Sequence, residues 1–178
     1  VGIVSKKKIL SKKNVRINDI VLAVPSNGIH SNGYSLVRAI IKKHQISKKI
    51  KKDLLAPTKI YSREILKLVE KNLISAAAHI TGGGLVENLL RSIPKELSLE
   101  IDLSKIKIKK IFKWLKKKKI SDEEMMQTFN CGVGFCLITS PKNLEKIKKI
   151  FPKKYSPYEI GIITKNNKKV ILKNSLKW

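Results

Sequence analysis

The sequence predicts an α/β (α+β) fold in which helices are layered on a mixed sheet. Short apolar or alternating runs, typical of strands, are interspersed with stretches whose apolar residues recur at helical spacing. The apolar share of 42% is enough to form a core in a chain of 178 residues. Because no internal repeat or long linker divides these elements, we expect one layered domain.

The strand predictions rest on apolar runs bounded by turn residues. "DIVLAVPS" ends at a proline, and "LSLEIDL" alternates apolar and polar residues from Leu97 to Leu103. "AAAHIT" leads into three glycines, and "GVGFCLITS" precedes Pro141. "YEIGIIT" and "KKVILK" are predicted as two final strands joined by the turn "KNN", followed by a loose tail over residues 173–178.

The helix predictions rest on spacing of three and four residues. A first helix begins near Gly33, and His44 falls on its apolar side, where a packed residue is expected. "HQISKKIKKD" is polar and is predicted to be a loop. Further helices are predicted after "APT", after the three glycines, over "IFKWLKKKK", and after Ser121 and Ser140. The second helix is expected to bury Ile65, Leu66 and Val69.

The net charge of +26 favours a nucleic-acid partner at first sight. Only four of the 39 basic residues are Arg, however, and Arg is the side chain that best matches phosphates and base edges. The lysines are spread through every segment. We therefore interpret the charge mainly as a solvated lysine surface with non-specific, salt-sensitive affinity for polyanions.

The cysteines and the apolar runs indicate the environment of the chain. No run approaches the roughly 18 apolar residues that a membrane span needs. Cys131 and Cys136 are five positions apart and would face opposite sides of a strand. We expect reduced thiols in a cytoplasmic protein, with no disulfide and no metal site.

The segment "HITGGGLVENLLRSIP" combines a strand, a glycine-rich turn and a helix start. Backbone N–H groups at a helix N-terminus attract anions, and glycine lets a phosphate approach closely. Thr81 could add a hydroxyl and His79 a proton donor. A tight connection without a ligand explains the glycines equally well, and the pattern is not a P-loop because no Gly-Lys-Ser/Thr follows.

Two further segments carry candidate polar residues. "PSNGIHSNGYSLVR" places Ser26, Asn27, His30, Ser31 and Asn32 beyond a strand, where α/β sheets usually bind ligands, although ordinary turn chemistry accounts for it as well. "TFNCGVG" contains Asn130 between a helix and a strand, and close packing explains its glycines as well as a ligand does.

These segments occur together and in order. With "LLAPTKIY", "IFKWL", "EEMMQTFNCGVG" and "IGII", they resemble the C-terminal half of the phosphoribosylformylglycinamidine cyclo-ligase (aminoimidazole ribonucleotide synthetase) family, from Val1 to about Leu172. The resemblance implies the C-terminal domain of the aminoimidazole ribonucleotide synthetase-like superfamily. It also implies a cytoplasmic homodimeric ligase of purine biosynthesis that closes a ring with ATP and Mg²⁺.

The resemblance also implies site residues. His79 and His30 are the catalytic candidates, with His79 nearest the chemistry as a proton donor or oxyanion stabiliser. The substrate- or phosphate-binding candidates are Ser26, Gly28, Ser31, Asn32, Thr81, Gly82, Gly83, Gly84, Glu87, Asn88 and Asn130. No metal ligand is assigned within this chain.

The resemblance covers residues 1–172 and lacks the family's N-terminal half, which supplies most nucleotide and metal contacts. We therefore expect the chain alone to be inactive, either as a fragment of a longer protein or as the product of an eroded gene. Asn27 stands where the family usually has Ser. The alternatives are a related formylglycinamidine ribonucleotide synthase or other superfamily member, an inactive remnant, and a lysine-rich nucleic-acid-binding protein.

Overall fold

A computed structural model describes residues 3–178. Within these residues, six strands form a single sheet: β1 (Ile20–Pro25), β2 (Ala76–His79), β3 (Ser98–Asp102), β4 (Val133–Thr139), β5 (Tyr158–Thr164) and β6 (Val170–Lys173). The same part of the chain has seven α-helices: α1 (Tyr34–Lys43), α2 (Lys48–Leu54), α3 (Ser62–Glu70), α4 (Gly84–Leu90), α5 (Lys110–Lys116), α6 (Asp122–Thr128) and α7 (Leu144–Lys148). The mixed sheet layered with helices confirms the predicted fold class.

The strand order is β2-β4-β1-β5-β3-β6, with β3 and β6 parallel and the other neighbours antiparallel. Strands β1 and β2 both run antiparallel to β4, which lies between them. The C-terminal ends of β1 and β2 therefore meet the N-terminal end of β4 at one edge of the sheet. The three segments singled out in the sequence are the connections at this edge.

Two apolar layers cover the faces of the sheet. Helices α1, α2, α4, α5 and α6 pack on one face, where Phe112, Phe129 and Met125 are fully buried. Helices α3 and α7 cover the other face through Leu68 and Ile147. Strand β1 is buried on both faces because its residues alternate between the two clusters, which explains its continuous apolar run.

Three helix predictions are corrected by the structure. "HQISKKIKKD" is not a loop, because Ser47 accepts a hydrogen bond from the N–H of Ile50 and caps α2. His44 is exposed at the end of α1 and is not packed. On α3, Leu68 is fully buried, whereas Leu66 is 60% exposed.

The two final strands are present as predicted, but the tail that follows them differs from its prediction. Strands β5 and β6 are not paired with each other, because both bind β3 from opposite sides. Ser98 anchors the connection by exchanging hydrogen bonds with the backbone of Asn166. The tail predicted as loose begins inside β6, buries Leu176, and ends with the Trp178 indole donating to Asp122.

Candidate active-site face

The edge where β1, β2 and β4 meet carries two histidines and two further aromatic residues. In the sheet register, Val24 of β1 and His79 of β2 both lie opposite Phe135 of β4. The ring centroids of His30 and His79 are 6.3 Å apart, and Tyr61 lies about equally far from both, at 6.1 and 6.0 Å. The segments after β1 and β2 therefore converge.

His30 lies beneath this face and His79 lies on it. His30 is 3% exposed and has a left-handed backbone with φ of +57°, an uncommon conformation in which His is enriched. Burial, with the nearby charges of His79 and Lys109, lowers the pKa of His30 to about 4. The ring is therefore neutral at pH 7.

His79 is exposed and its ring is stacked on Phe135, with centroids 5.4 Å apart and planes 16° apart. Partial burial lowers the pKa of His79 below its usual value. A neutral imidazole carries one N–H, so the exposed ring of His79, whose plane is set by stacking on Phe135, can offer one hydrogen-bond donor.

The glycine turn after β2 is held from below by Asn88. The Asn88 amide donates to the carbonyls of Gly82 (3.1 Å) and Gly84 (2.7 Å), and Thr81 contacts the same amide at 3.4 Å. No described residue accepts a hydrogen bond from the N–H groups of Gly82 or Gly83. Asn88 therefore shapes the turn, while two backbone donors of the turn stay free for a ligand.

The other predicted residues of this segment have different positions. Glu87 is exposed and pairs with Arg91 one turn along α4. Gly82 is exposed, and a Cβ at this position would lie 4.0 Å from the side-chain oxygen of Asn32. The glycine turn and the loop after β1 are thus direct neighbours across the edge.

Within the loop after β1, the predicted residues divide between its surface and its interior. Ser31 is exposed, with its hydroxyl 3.4 Å from that of Thr58, and Asn32 is half-buried. Ser26 is fully buried, and its hydroxyl has no partner among the described residues. Gly28 is buried against Ala56.

Asn130 does not line the face as predicted. It is 1% exposed, its amide donates to the carbonyl of Gly28 at 2.9 Å, and its oxygen accepts from the N–H of Gly132 at 2.9 Å. Both polar atoms of the side chain are thus used by the backbone. Asn130 ties the loop after β1 to the start of β4 and acts as an anchor beneath the face.

The cysteines and the acidic residues offer no metal centre. Burial raises the pKa of the Cys131 thiol to about 12, and burial raises that of Cys136 as well, so both thiols stay protonated. Both are free and buried. Residues 3–178 include no group of three or more His, Cys, Asp or Glu able to hold a metal ion.

Comparison with known proteins decides the family. Residues 16–173 match the family described as AIR synthase related protein, C-terminal domain. The chain belongs to this family. The resemblance found in the sequence is thereby confirmed, since the match covers the strands, the helices and the candidate active-site face.

The relatives of this AIR synthase C-terminal domain are consistent with the assignment. A Streptococcus pneumoniae protein named phosphoribosylformylglycinamidine cyclo-ligase is 42% identical over 183 aligned positions, which cover 97% of this chain and 53% of that protein. A second pneumococcal strain gives the same values. The chain therefore spans about half the length of the curated relatives it matches.

Solved structures share the fold at low identity. Thiamine-monophosphate kinase from Stenotrophomonas maltophilia superposes with a TM-score of 0.65 at 14% identity, over 98% of this chain and 56% of that one. T. maritima PurL complexed with ATP gives a TM-score of 0.59 at 15% identity, over 99% of this chain and 27% of that one. These likenesses establish the architecture of the AIR synthase domain.

Sequence reasoning missed two residues of the face, Tyr61 and Phe135, and treated Asn27 only as a polar residue of the loop without assigning it to the site. Tyr61 is buried, donates to the carbonyl of Pro25 at 3.0 Å, and has a pKa raised chiefly by burial. It ends the "LLAPTKIY" motif, which was the available signal. Phe135 could not be found from spacing, because its contact with His79 depends on the register of β2 against β4.

Proposed function

We propose that this chain forms one wall of the active site of a phosphoribosylformylglycinamidine cyclo-ligase. The reaction is the ATP-dependent closure of formylglycinamidine ribonucleotide to aminoimidazole ribonucleotide, with release of ADP and phosphate. The observation that carries the proposal is the convergence of His30, His79 and the glycine turn at one edge. It occurs in a chain that is 42% identical over 97% of its length to a protein named for this activity.

The chemistry requires stabilisation of negative charge. The γ-phosphoryl group of ATP is transferred to the formyl oxygen, the amidine nitrogen attacks the activated carbon and loses a proton, and phosphate leaves with that oxygen. The N–H groups of Gly82 and Gly83 donate to no described residue, which supports a role for the turn in binding phosphate oxygens. The neutral ring of His79 can donate an N–H to the oxygen that develops charge, which supports its role as an oxyanion stabiliser.

The described residues do not fit a magnesium site, because they include no suitable ligand cluster. If the enzyme uses Mg²⁺, its ligands lie mainly outside this chain, in the half that the curated relatives have in addition. The ATP contacts assigned to this chain are limited to the backbone donors of the glycine turn.

The homodimer, the cytoplasmic location and inactivity of the isolated chain stay predictions. The free, buried thiols support a reducing compartment. No helix in residues 3–178 has the length and apolar character needed to cross a membrane. The open position of His79 supports a second wall from the missing half, since water would otherwise reach the reaction.

Complementation tests the proposal. The chain is expressed with the N-terminal half of the pneumococcal relative in a purine auxotroph that lacks the cyclo-ligase, and ring closure is measured with the purified pair. We expect growth and ATP-dependent turnover with the wild-type chain, and loss of both with His79→Ala. Reversing the charge of Lys142, Lys146 and Lys149, which lie around α7 away from the motifs, should leave both intact.

Two outcomes would contradict the proposal. If the lysine reversals abolish growth while His79→Ala has no effect, a nucleic-acid-binding role is favoured. If both halves are folded and associated but the wild-type pair closes no ring, the chain is an inactive remnant or serves another reaction. Circular dichroism and sedimentation of each pair separate these outcomes from misfolding.

A further inference from the structure

The loop after β1 is organised around Asn27, which lies outside the predicted site set. The Asn27 oxygen Oδ1 accepts from the backbone N–H of Lys59 at 3.2 Å, and Nδ2 donates to the carbonyl of Pro57. A backbone N–H can only donate and a carbonyl can only accept. These two partners therefore show which end of the Asn27 side-chain amide is the oxygen and which is the nitrogen, independently of the contact with His30.

This orientation decides which nitrogen of His30 carries a proton. The Nε2 atom of His30 lies 3.0 Å from Oδ1 of Asn27. Because an amide oxygen has no proton to donate, Nε2 must be the donor. Burial lowers the pKa of His30, so the ring is neutral and its other nitrogen, Nδ1, carries a lone pair.

The Nδ1 atom of His30 accepts no hydrogen bond from any described residue. It is buried in a side chain that is 3% exposed, and no described residue hydrogen-bonds to it. The hydroxyl of Ser26, in the same loop, is likewise buried without a partner. Buried polar atoms are almost always paired in native proteins, so the two unpaired atoms of this loop are free to bond with a group from outside the described residues.

We propose that Asn27 is a positioning residue that holds His30 in the Nε2–H tautomer, so that Nδ1 accepts a hydrogen bond from an N–H or O–H group of the nucleotide substrate. Because Nδ1 is buried in the free chain, this contact requires the loop after β1 to move when the substrate binds. The substrate part of this inference rests on the proposed function, whose amidine and ribose groups supply such hydrogens. His30 is then a substrate-binding acceptor, while His79 is the donor of the pair. The two histidines, 6.3 Å apart, have opposite hydrogen-bonding roles.

The tautomer can be measured on the chain as it exists, without activity. With ¹⁵N-labelled histidine, two-bond correlations between ring nitrogens and carbon-bound protons distinguish Nε2–H from Nδ1–H rings. The chain has three histidines, so His44→Gln and His79→Gln assign the signals. At pH 7 we expect His30 to show a protonated Nε2 and an unprotonated Nδ1. A predominant Nδ1–H ring would overturn the inference.

Variants test the role of Asn27. Asn27→Ala removes the acceptor, and we expect His30 to become a mixture of tautomers. Asn27→Asp keeps an acceptor for Nε2 and should restore the Nε2–H form with a raised pKa. Asn32→Ala, in the same loop but without a hydrogen bond to His30, is the matched control and should leave the His30 signals unchanged. An unaltered tautomer in folded Asn27→Ala, checked by circular dichroism, would contradict the positioning role.

The substrate contact is tested in the assembled two-half protein. Adding formylglycinamidine ribonucleotide should move the Nδ1 signal of His30 toward that of a hydrogen-bonded nitrogen, and Asn27→Ala should reduce this change at saturating substrate. An unmoved Nδ1 signal in a protein that turns over substrate would refute the contact but not the proposed function. Absence of turnover would count against the proposed function, while the tautomer result in the free chain would stand.

Discussion

The three consecutive glycines give a prediction that separates packing from ligand access. The three glycines differ in backbone conformation and in the atoms that an added Cβ would meet. Gly82 has an ordinary backbone and open space, with no atom closer than 4.0 Å to an added Cβ. Gly83 and Gly84 have φ of +88° and +65°, where L-residues are strained.

The expected changes in the free energy of unfolding follow from these surroundings. Gly82→Ala should be neutral or stabilising by about 0.4–1 kcal/mol, because alanine restricts the unfolded chain at a compatible position. Gly83→Ala should cost about 1–2 kcal/mol for its left-handed backbone, since the atom that it meets is the movable end of Glu87. In Gly84→Ala the Cβ would lie 1.7 Å from the backbone oxygen of Met126 in α6.

Because that backbone cannot rotate away, Gly84→Ala adds overpacking of about 1–3 kcal/mol to the strain, for a total of about 2–5 kcal/mol. Urea unfolding followed by circular dichroism gives the order of the three variants. We expect a different order for ring-closure activity, measured with this chain assembled with the N-terminal half of the relative. Gly82→Ala should be folded but less active, because its methyl group covers the turn. Gly84→Ala as stable as the wild type, or Gly82→Ala as the least stable variant, would refute this reasoning.

Three further predictions concern the anchors of the fold. Asn130→Ala should lower the free energy of unfolding by about 2–5 kcal/mol in urea, because it leaves a buried carbonyl and a buried N–H unpaired; a change below 1 kcal/mol would contradict its anchoring role. The folded pKa of His30 is about 4 against 6.5 unfolded, so protonation opposes folding. The stability that a neutral His30 contributes is full above pH 6.5 and is lost as the pH falls through 4, by about 3 kcal/mol in all. His30→Asn should lose this part of the pH dependence measured by urea unfolding. Deleting residues 176–178 should lower the Tm by several degrees in a thermal melt, since Leu176 is buried and Trp178 contacts Asp122; an unchanged Tm would indicate a loose tail after all.

Most elements of the fold were predictable because their signals are local. The apolar run of β1 and the cap at Ser121 each depend on neighbouring residues alone. The helix α2 was missed because five of its seven residues are charged, so that only the cap at Ser47 and the buried Leu54 mark it. The tail was missed because its burial depends on Asp122, more than fifty positions away.

The candidate site was predictable as a set of segments but not as a set of roles. That the segments after β1 and β2 meet requires β4 to lie between them, which no local pattern encodes. Asn88 and Asn130 look like ligand contacts in the sequence, yet their amides are used by the backbone. Asn27 looks like a turn residue, yet it holds three partners.

We infer that the connections at one edge of the sheet bind the nucleotides of the reaction. The chain has nine glycines, so ¹⁵N-glycine labelling of this half within the assembled protein gives a simple amide spectrum. On adding formylglycinamidine ribonucleotide and a non-hydrolysable ATP analogue, we predict the largest shifts at Gly28, Gly82 and Gly83, and almost none at Gly161 in the middle of β5. Saturable binding that shifts Gly161 while leaving these three unmoved would contradict the claim.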